Sequence, residues 1–328
     1  MDTNNNPRAV VMNQKTKEGI AQMFSSPPAV TAVCAFSLLT FFTLIRIIVT
    51  TASSKMSSAF AFLYYFGGSN SVPVVNCIVG LLVFSFLAFM DIALLYTFFA
   101  ARNSKNNKIT KGLNLMKASL IYILILSIIC IFISLCSVSV MYQASVIANE
   151  YGTDSSDAVF AHINGISSQT LFASTCFFGT LIICIIIGFI SFSNSVINAA
   201  DGTAYKTGGS VFSLIISIIA GISFFFGFFG CLRNLIMPAD VGPSISFTYV
   251  GTAGCDVIIN ASLCTFFTAL AFLSSGYRGV LNRAGKFASS VFFYSNGYQN
   301  STYVNTSAAP SSDPNIEIHP EPMPFEKK

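Results

Sequence analysis

The sequence predicts an all-α integral membrane protein: a bundle of six transmembrane helices with both termini on the cytoplasmic side. Three observations carry that prediction. Only 9% of the 328 residues are charged while 53% are hydrophobic, against about 25% charged in a soluble domain, and the mean hydropathy is +0.69. Several apolar runs exceed 20 residues without a charge, too long for strands and too many for one buried core. The basic residues between those runs fall on alternate connections, the pattern that sets membrane orientation.

The chain opens with a polar segment, residues 1–27, containing Arg8, Lys15 and Lys17. It reads as a cytoplasmic N-terminal tail, and the apolar run behind it is too long for a signal-peptide core. Residues 28–275 form the membrane domain. Its six spans run approximately Ala29–Thr50, Val74–Ala100, Ala118–Tyr142, Thr170–Phe192, Val211–Met237 and Phe247–Leu273. Each is long enough to cross about 30 Å of hydrocarbon with some tilt. None alternates polar with apolar as barrel strands do, so each must satisfy its backbone internally as a helix.

Six spans place Arg8, Lys15 and Lys17, then Arg102, Lys105, Lys108, Lys111 and Lys117, then Lys206, then Arg278, Arg283, Lys286, Lys327 and Lys328 on one side. The other side receives only Lys55 and Arg233. An odd span count would scramble this asymmetry, and the basic side is assigned to the cytoplasm.

Two outer segments need separate treatment. Ser57–Gly68, "SSAFAFLYYFGG", has too short an apolar run to span and reads as interfacial or re-entrant, with Tyr64 and Tyr65 at the headgroup level. The connection from Gln143 to Gln169 is acidic, with Glu150, Asp154, Asp157 and His162. That set matches no metal-ligand spacing, so it reads as a solvated loop and no metal is expected.

Beyond the last span, residues 276–294 place Tyr277, Val280, Leu281, Ala284, Phe287, Ala288 and Val291 on one helical face and Arg278, Arg283 and Lys286 on the other. This is the pattern of a basic amphipathic helix lying on anionic lipid, with Lys105, Lys108 and Lys111 adding charge nearby. Residues 295–328 are rich in Asn, Ser, Thr and Pro and read as a disordered cytoplasmic tail able to bind protein partners.

Four ionisable residues lie at membrane depth: Arg46, Asp91, Arg233 and Asp256. Each costs about 2.5–3.5 kcal/mol at a helix centre and therefore needs a partner, water or an escape to the interface. At 1.5 Å per residue, Asp256 lies about 6 Å and Arg46 about 10 Å to the outer side of their span centres. The two share a level, and pairing within a buried bundle interior is expected. Asp91 lies about 6 Å to the inner side, where Tyr122 or a snorkelling Lys117 is the expected partner. Thr252, Asp256 and Asn260 recur at helical spacing on the sixth span, and Gly251, Gly254 and Ala261 allow another backbone to approach.

Catalysis finds no support. The only histidines, His162 and His319, lie outside the spans, and the two intramembrane aspartates are about 12 Å apart along the normal, too far to share a proton. There is no H-E-x-x-H, no phosphate-binding loop and no dinucleotide fingerprint. The nine cysteines all lie in apolar runs without C-x-x-C spacing, which argues against a disulfide framework, a zinc site and a thioredoxin-like motif. No cofactor and no nucleic-acid partner is expected. The reading that remains is a small-solute or ion transporter or channel, with Asp256, Asn260, Thr252 and Arg46 on its pathway and Asp91 as a secondary acid. The alternative is a non-transporting scaffold, receptor or assembly factor acting through its tail.

Overall fold

The computed structural model describes residues 7–51, 72–103, 106–151, 155–236 and 247–303. Among them are seven α-helices and no strand. We number them α1 (Pro7–Phe24), α2 (Pro27–Thr51), α3 (Val72–Arg102), α4 (Asn106–Tyr151), α5 (Ser155–Asp201), α6 (Gly208–Ile236) and α7 (Phe247–Tyr303). Helices α2 to α7 contain the six stretches long and apolar enough to cross a membrane: Pro27–Val49, Ile78–Arg102, Lys108–Val140, Ser168–Asp201, Gly208–Ile236 and Val250–Ser290.

Consecutive spans pack side by side, and α2 returns to pack on α7, so the six spans close into a ring in chain order. Every neighbouring pair is antiparallel, because an even number of spans brings the last helix back beside the first in the opposite sense. The inside of the ring is aromatic on the α2–α5–α7 side. Phe189 stacks on Phe266 at 5.6 Å between centroids, Phe266 meets Phe36 at 5.0 Å, and Phe267 stacks on Phe224 at 5.5 Å. Such ring pairs each add about 0.5–1.5 kcal/mol beyond their burial.

Outside, the pattern inverts. Ile92, Phe132, Phe177 and Phe226 are each more than 60% exposed. A water-soluble fold rarely leaves so much apolar surface open; it is a surface suited to the hydrocarbon of a bilayer. This is a multi-pass membrane protein.

Three boundaries differ from the sequence expectation. The N-terminal tail is largely a helix. In α1, Thr16, Ile20, Met23 and Phe24 are buried, and the helix lies across one end of the ring, against α7, α3, α5 and α4. One apolar stripe too short to span was enough to dock it. The break to α2 is made by Ser25 and Ser26 before Pro27-Pro28: Ser26 carbonyl accepts from Ala29 and Val30 N–H, and the prolines sit in the first turn, where no N–H is missed.

The basic segment 276–294 is not a separate interfacial helix but the continuation of the sixth span. Its apolar face is the predicted one, since Tyr277, Val280, Leu281, Ala284 and Ala288 are buried, but much of it meets protein rather than lipid, with Gly19 of α1 seated on Val280. The helix then runs to Tyr303, past residue 295 where the tail was expected to begin.

The acidic connection is helical over most of its length. α4 continues to Tyr151 and α5 starts at Ser155, so Asp157 and His162 belong to a helix. Asp154, the Ser57–Gly68 segment, Lys105 and the tail from residue 304 lie outside the described residues.

At the α1 end, α5 turns into α6 through Gly202, at φ +75°. Gly202 N–H bonds Ala199 carbonyl and Thr203 N–H bonds Asn198 carbonyl at 2.9 Å, the paired bonds of a helix end that needs a left-handed residue. Tyr277 is fully buried beneath this turn and its hydroxyl donates to Ser195 carbonyl at 2.8 Å.

Candidate functional site

Asp256 lies ten residues into α7 and Arg46 six from the end of α2, so antiparallel packing brings them to one level at the end of the ring away from α1. Arg46 Nε donates to Asp256 Oδ1. The expected pair is present, but its expected burial is not: 45% of the Arg46 side chain and 33% of the Asp256 side chain are exposed. The physical reason is position. Arg46 lies eight residues from the midpoint of Pro27–Val49, about 12 Å, which is near the edge of the hydrocarbon rather than inside a sealed core.

Asn260 stands one turn further along α7 and turns toward α6. Its Nδ2 donates to Asp256 carbonyl at 2.8 Å and to Cys231 Sγ at 3.4 Å, and its Oδ1 sits over Gly227. Thr252, one turn before Asp256, is half-buried. The polar stripe therefore divides its contacts: Asp256 ties α7 to α2, and Asn260 ties α7 to α6. Both bonds tie together the three helices that meet there, and Asp256 and Asn260 are each half-buried. Arg233 ends α6 exposed, and among the described residues it makes no ion pair.

Asp91 corrects a second expectation. Neither Tyr122 nor Lys117 reaches it; Ser37 of α2 donates to Asp91 Oδ1 at 2.8 Å. Depth alone could have found this partner, since Ser37 also lies on the inner half of its span and the first two spans are adjacent in sequence. Arg46 and Ser37 are nine residues apart on α2, so that helix holds both acids, about 13 Å apart along its axis.

The expected lipid-facing residues gather at the α1 end. Arg283 and Lys286 are exposed and Arg278 is half-buried on α7, while Lys108 is exposed at the start of α4 and Lys111 one turn on. The sequence reading missed what faces them: Lys15, Glu18 and Gln22 of α1 line a cleft of about 310 Å³ with Arg283 and Phe287 of α7. The Thr16/Ile20/Phe24 stripe was the signal for it, spaced as one helix face. Lys15 Nζ pairs with Glu18 at 2.8 Å and sits 5.2 Å over the Phe287 ring. The hydrogen bond from Lys15 holds Glu18 below the ordinary carboxylate range.

Among the described residues, no three His, Cys, Asp or Glu side chains come together in a way that could hold a metal ion. Comparison with known proteins returns no matching family, no matching curated protein and no matching solved structure.

Proposed function

We propose that the chain moves a small solute or ion across the membrane, without catalysis of its own, and that the Arg46–Asp256 pair gates one mouth of the ring. The observation that supports this is a charge pair that joins two spans at their ends yet keeps a third or more of each side chain open. A half-open charge pair contributes little as glue. A gate must be reachable by what passes it. Asn260 and Thr252 supply neutral polar atoms one turn to either side, and the Ser37–Asp91 bond supplies the next polar step along α2.

The orientation that belongs with this reading puts α1 and the C-terminus in the cytoplasm, where Lys15, Lys17, Arg102, Lys108, Lys111, Lys206, Arg278, Arg283 and Lys286 face the anionic leaflet against Glu18 and Asp201 alone among the described acids at that end. The deciding experiment is ion and proton flux in proteoliposomes, comparing the intact chain with Asp256→Asn. Flux that depends on Asp256 is expected; a folded, reconstituted protein with no flux of any small cation, anion or proton refutes transport.

A second reading is favoured by one observation. The sixth span continues to Tyr303 and is braced by α1, which makes a rigid platform suited to a scaffold or assembly factor. In that case partners would be captured by α7 and the tail, and Asp256→Asn would leave capture intact.

A further inference from the structure

We propose that the cleft between α1 and α7 is a binding site for a phosphate group, supplied by an anionic lipid headgroup. The argument starts from Arg283. Its one hydrogen bond among the described residues runs from Nε to Gly279 carbonyl, one turn back on its own helix. Among the described residues, neither terminal guanidinium nitrogen has a protein partner.

A carboxylate lies in the same cleft, and Arg283 does not take it. Glu18 is instead occupied along α1, by Lys15 at 2.8 Å and Gln14 at 3.3 Å. The cleft thus holds an unpaired planar fork on one wall, and on the other an ammonium and the exposed amide of Gln22. That donor set suits an oxyanion with several acceptor oxygens: two parallel bonds from Arg283 and single bonds from Lys15 and Gln22. At about 310 Å³ the space is at the small end of ligand sites, right for a phosphate and too small for a nucleotide.

Location identifies the source. Arg283 lies 27 residues beyond Asp256 on the same helix, about 40 Å, which is more than the roughly 30 Å of a hydrocarbon core and sets its guanidinium at headgroup level on the α1 side. The exposed Phe287 ring beside it gives the cleft an apolar rim of the kind interfacial segments present to lipid. The walls come from α1 and α7, so the ligand bridges the two helices. This rests on the cationic-surface reading above and narrows it to one site.

The test uses the full chain in phosphatidylcholine nanodiscs containing a small fraction of phosphatidic acid or of a phosphoinositide, with retained lipids counted by native mass spectrometry. Inorganic phosphate and glycerol phosphate form the soluble arm. Arg283→Gln is expected to reduce retained anionic lipid about tenfold, and Arg283→Lys several-fold, because the charge survives but the fork does not. Glu18→Gln should raise retention several-fold by releasing Lys15. Lys206→Gln, away from the cleft, should change little. If soluble phosphate is held with the same pattern of variants, the site stands and its ligand is the free anion. If Arg283→Lys behaves as the intact chain does and Lys206→Gln lowers retention as much as Arg283→Gln, the surface is a diffuse field and the site is refuted. Loss of all preference for anionic lipid in the intact chain refutes both.

Discussion

Consider the Arg46–Asp256 pair under a double-mutant cycle. A sealed pair that loses one partner typically costs about 3–5 kcal/mol. This pair is not sealed, with side-chain exposures of 45% and 33%, so that figure must be reduced. Two limits bracket it. In water an exposed pair is worth about 0.2–1 kcal/mol. At the centre of a bilayer, one unpaired charge costs about 2.5–3.5 kcal/mol. Arg46 sits about 12 Å from the midpoint of its span, about 3 Å inside a hydrocarbon half-thickness of about 15 Å. An arginine side chain crosses that distance by snorkelling.

The single changes Arg46→Gln and Asp256→Asn should therefore each cost about 1–2 kcal/mol. Removing both partners should cost less than the sum, with a coupling of about 1 kcal/mol. Reversible unfolding in mixed micelles, followed by circular dichroism, measures all four corners. Additive singles would refute a working pair, and losses above about 3 kcal/mol would mean that the site is sealed in the bilayer after all.

Three further outcomes are expected. Gly19→Leu places a side chain where even a Cβ would lie 2.5 Å from Val280 Cγ1, so α1 should lift and its amides should lose hydrogen-exchange protection while the spans keep theirs; unchanged protection would refute the docked α1. Tyr277→Phe removes the hydroxyl bonded to Ser195 carbonyl but keeps the ring against Phe192, and should lower stability by about 1–2 kcal/mol in the same unfolding assay; no change would mean that the carbonyl is served otherwise. Glu18 has its pKa depressed below the ordinary value of 4.5 by Lys15, so its small contribution to α1 is present above pH 4.5 and is lost as the pH falls through the lowered value; exchange protection of α1 that grows on acidification would contradict the Lys15–Glu18 bond.

The spans were legible because length and hydrophobicity alone define them, and the Arg46–Asp256 level was legible because helical rise converts sequence position into depth. What could not be read in advance follows from packing between distant segments. Residues 7–24 are too polar to insert and read as a tail; their helix holds because Ile20, Met23 and Phe24 are buried in the core and Gly19 seats on Val280, some 260 residues away. The α7 extension shows the same limit. Its apolar face was read correctly, but a face does not say whether lipid or protein will cover it. Asp91 was given a partner from the next span on, when the preceding span held a hydroxyl at matching depth.

The fully buried anchor at Tyr277, with Ser274 Oγ bonded to Ser213 Oγ at 3.1 Å one turn before it, has a mechanical consequence. α7 is one unbroken rod from Phe247 to Tyr303, and this is the place where it is pinned to α5 and α6. Asp256 lies about 30 Å from the pin on one arm and Arg283 about 10 Å on the other. The distances to the two sites stand in a ratio of roughly three to one, so for a rigid rod turning at that pin any displacement at the Asp256 end would reach the Arg283 cleft reduced about threefold and reversed in direction.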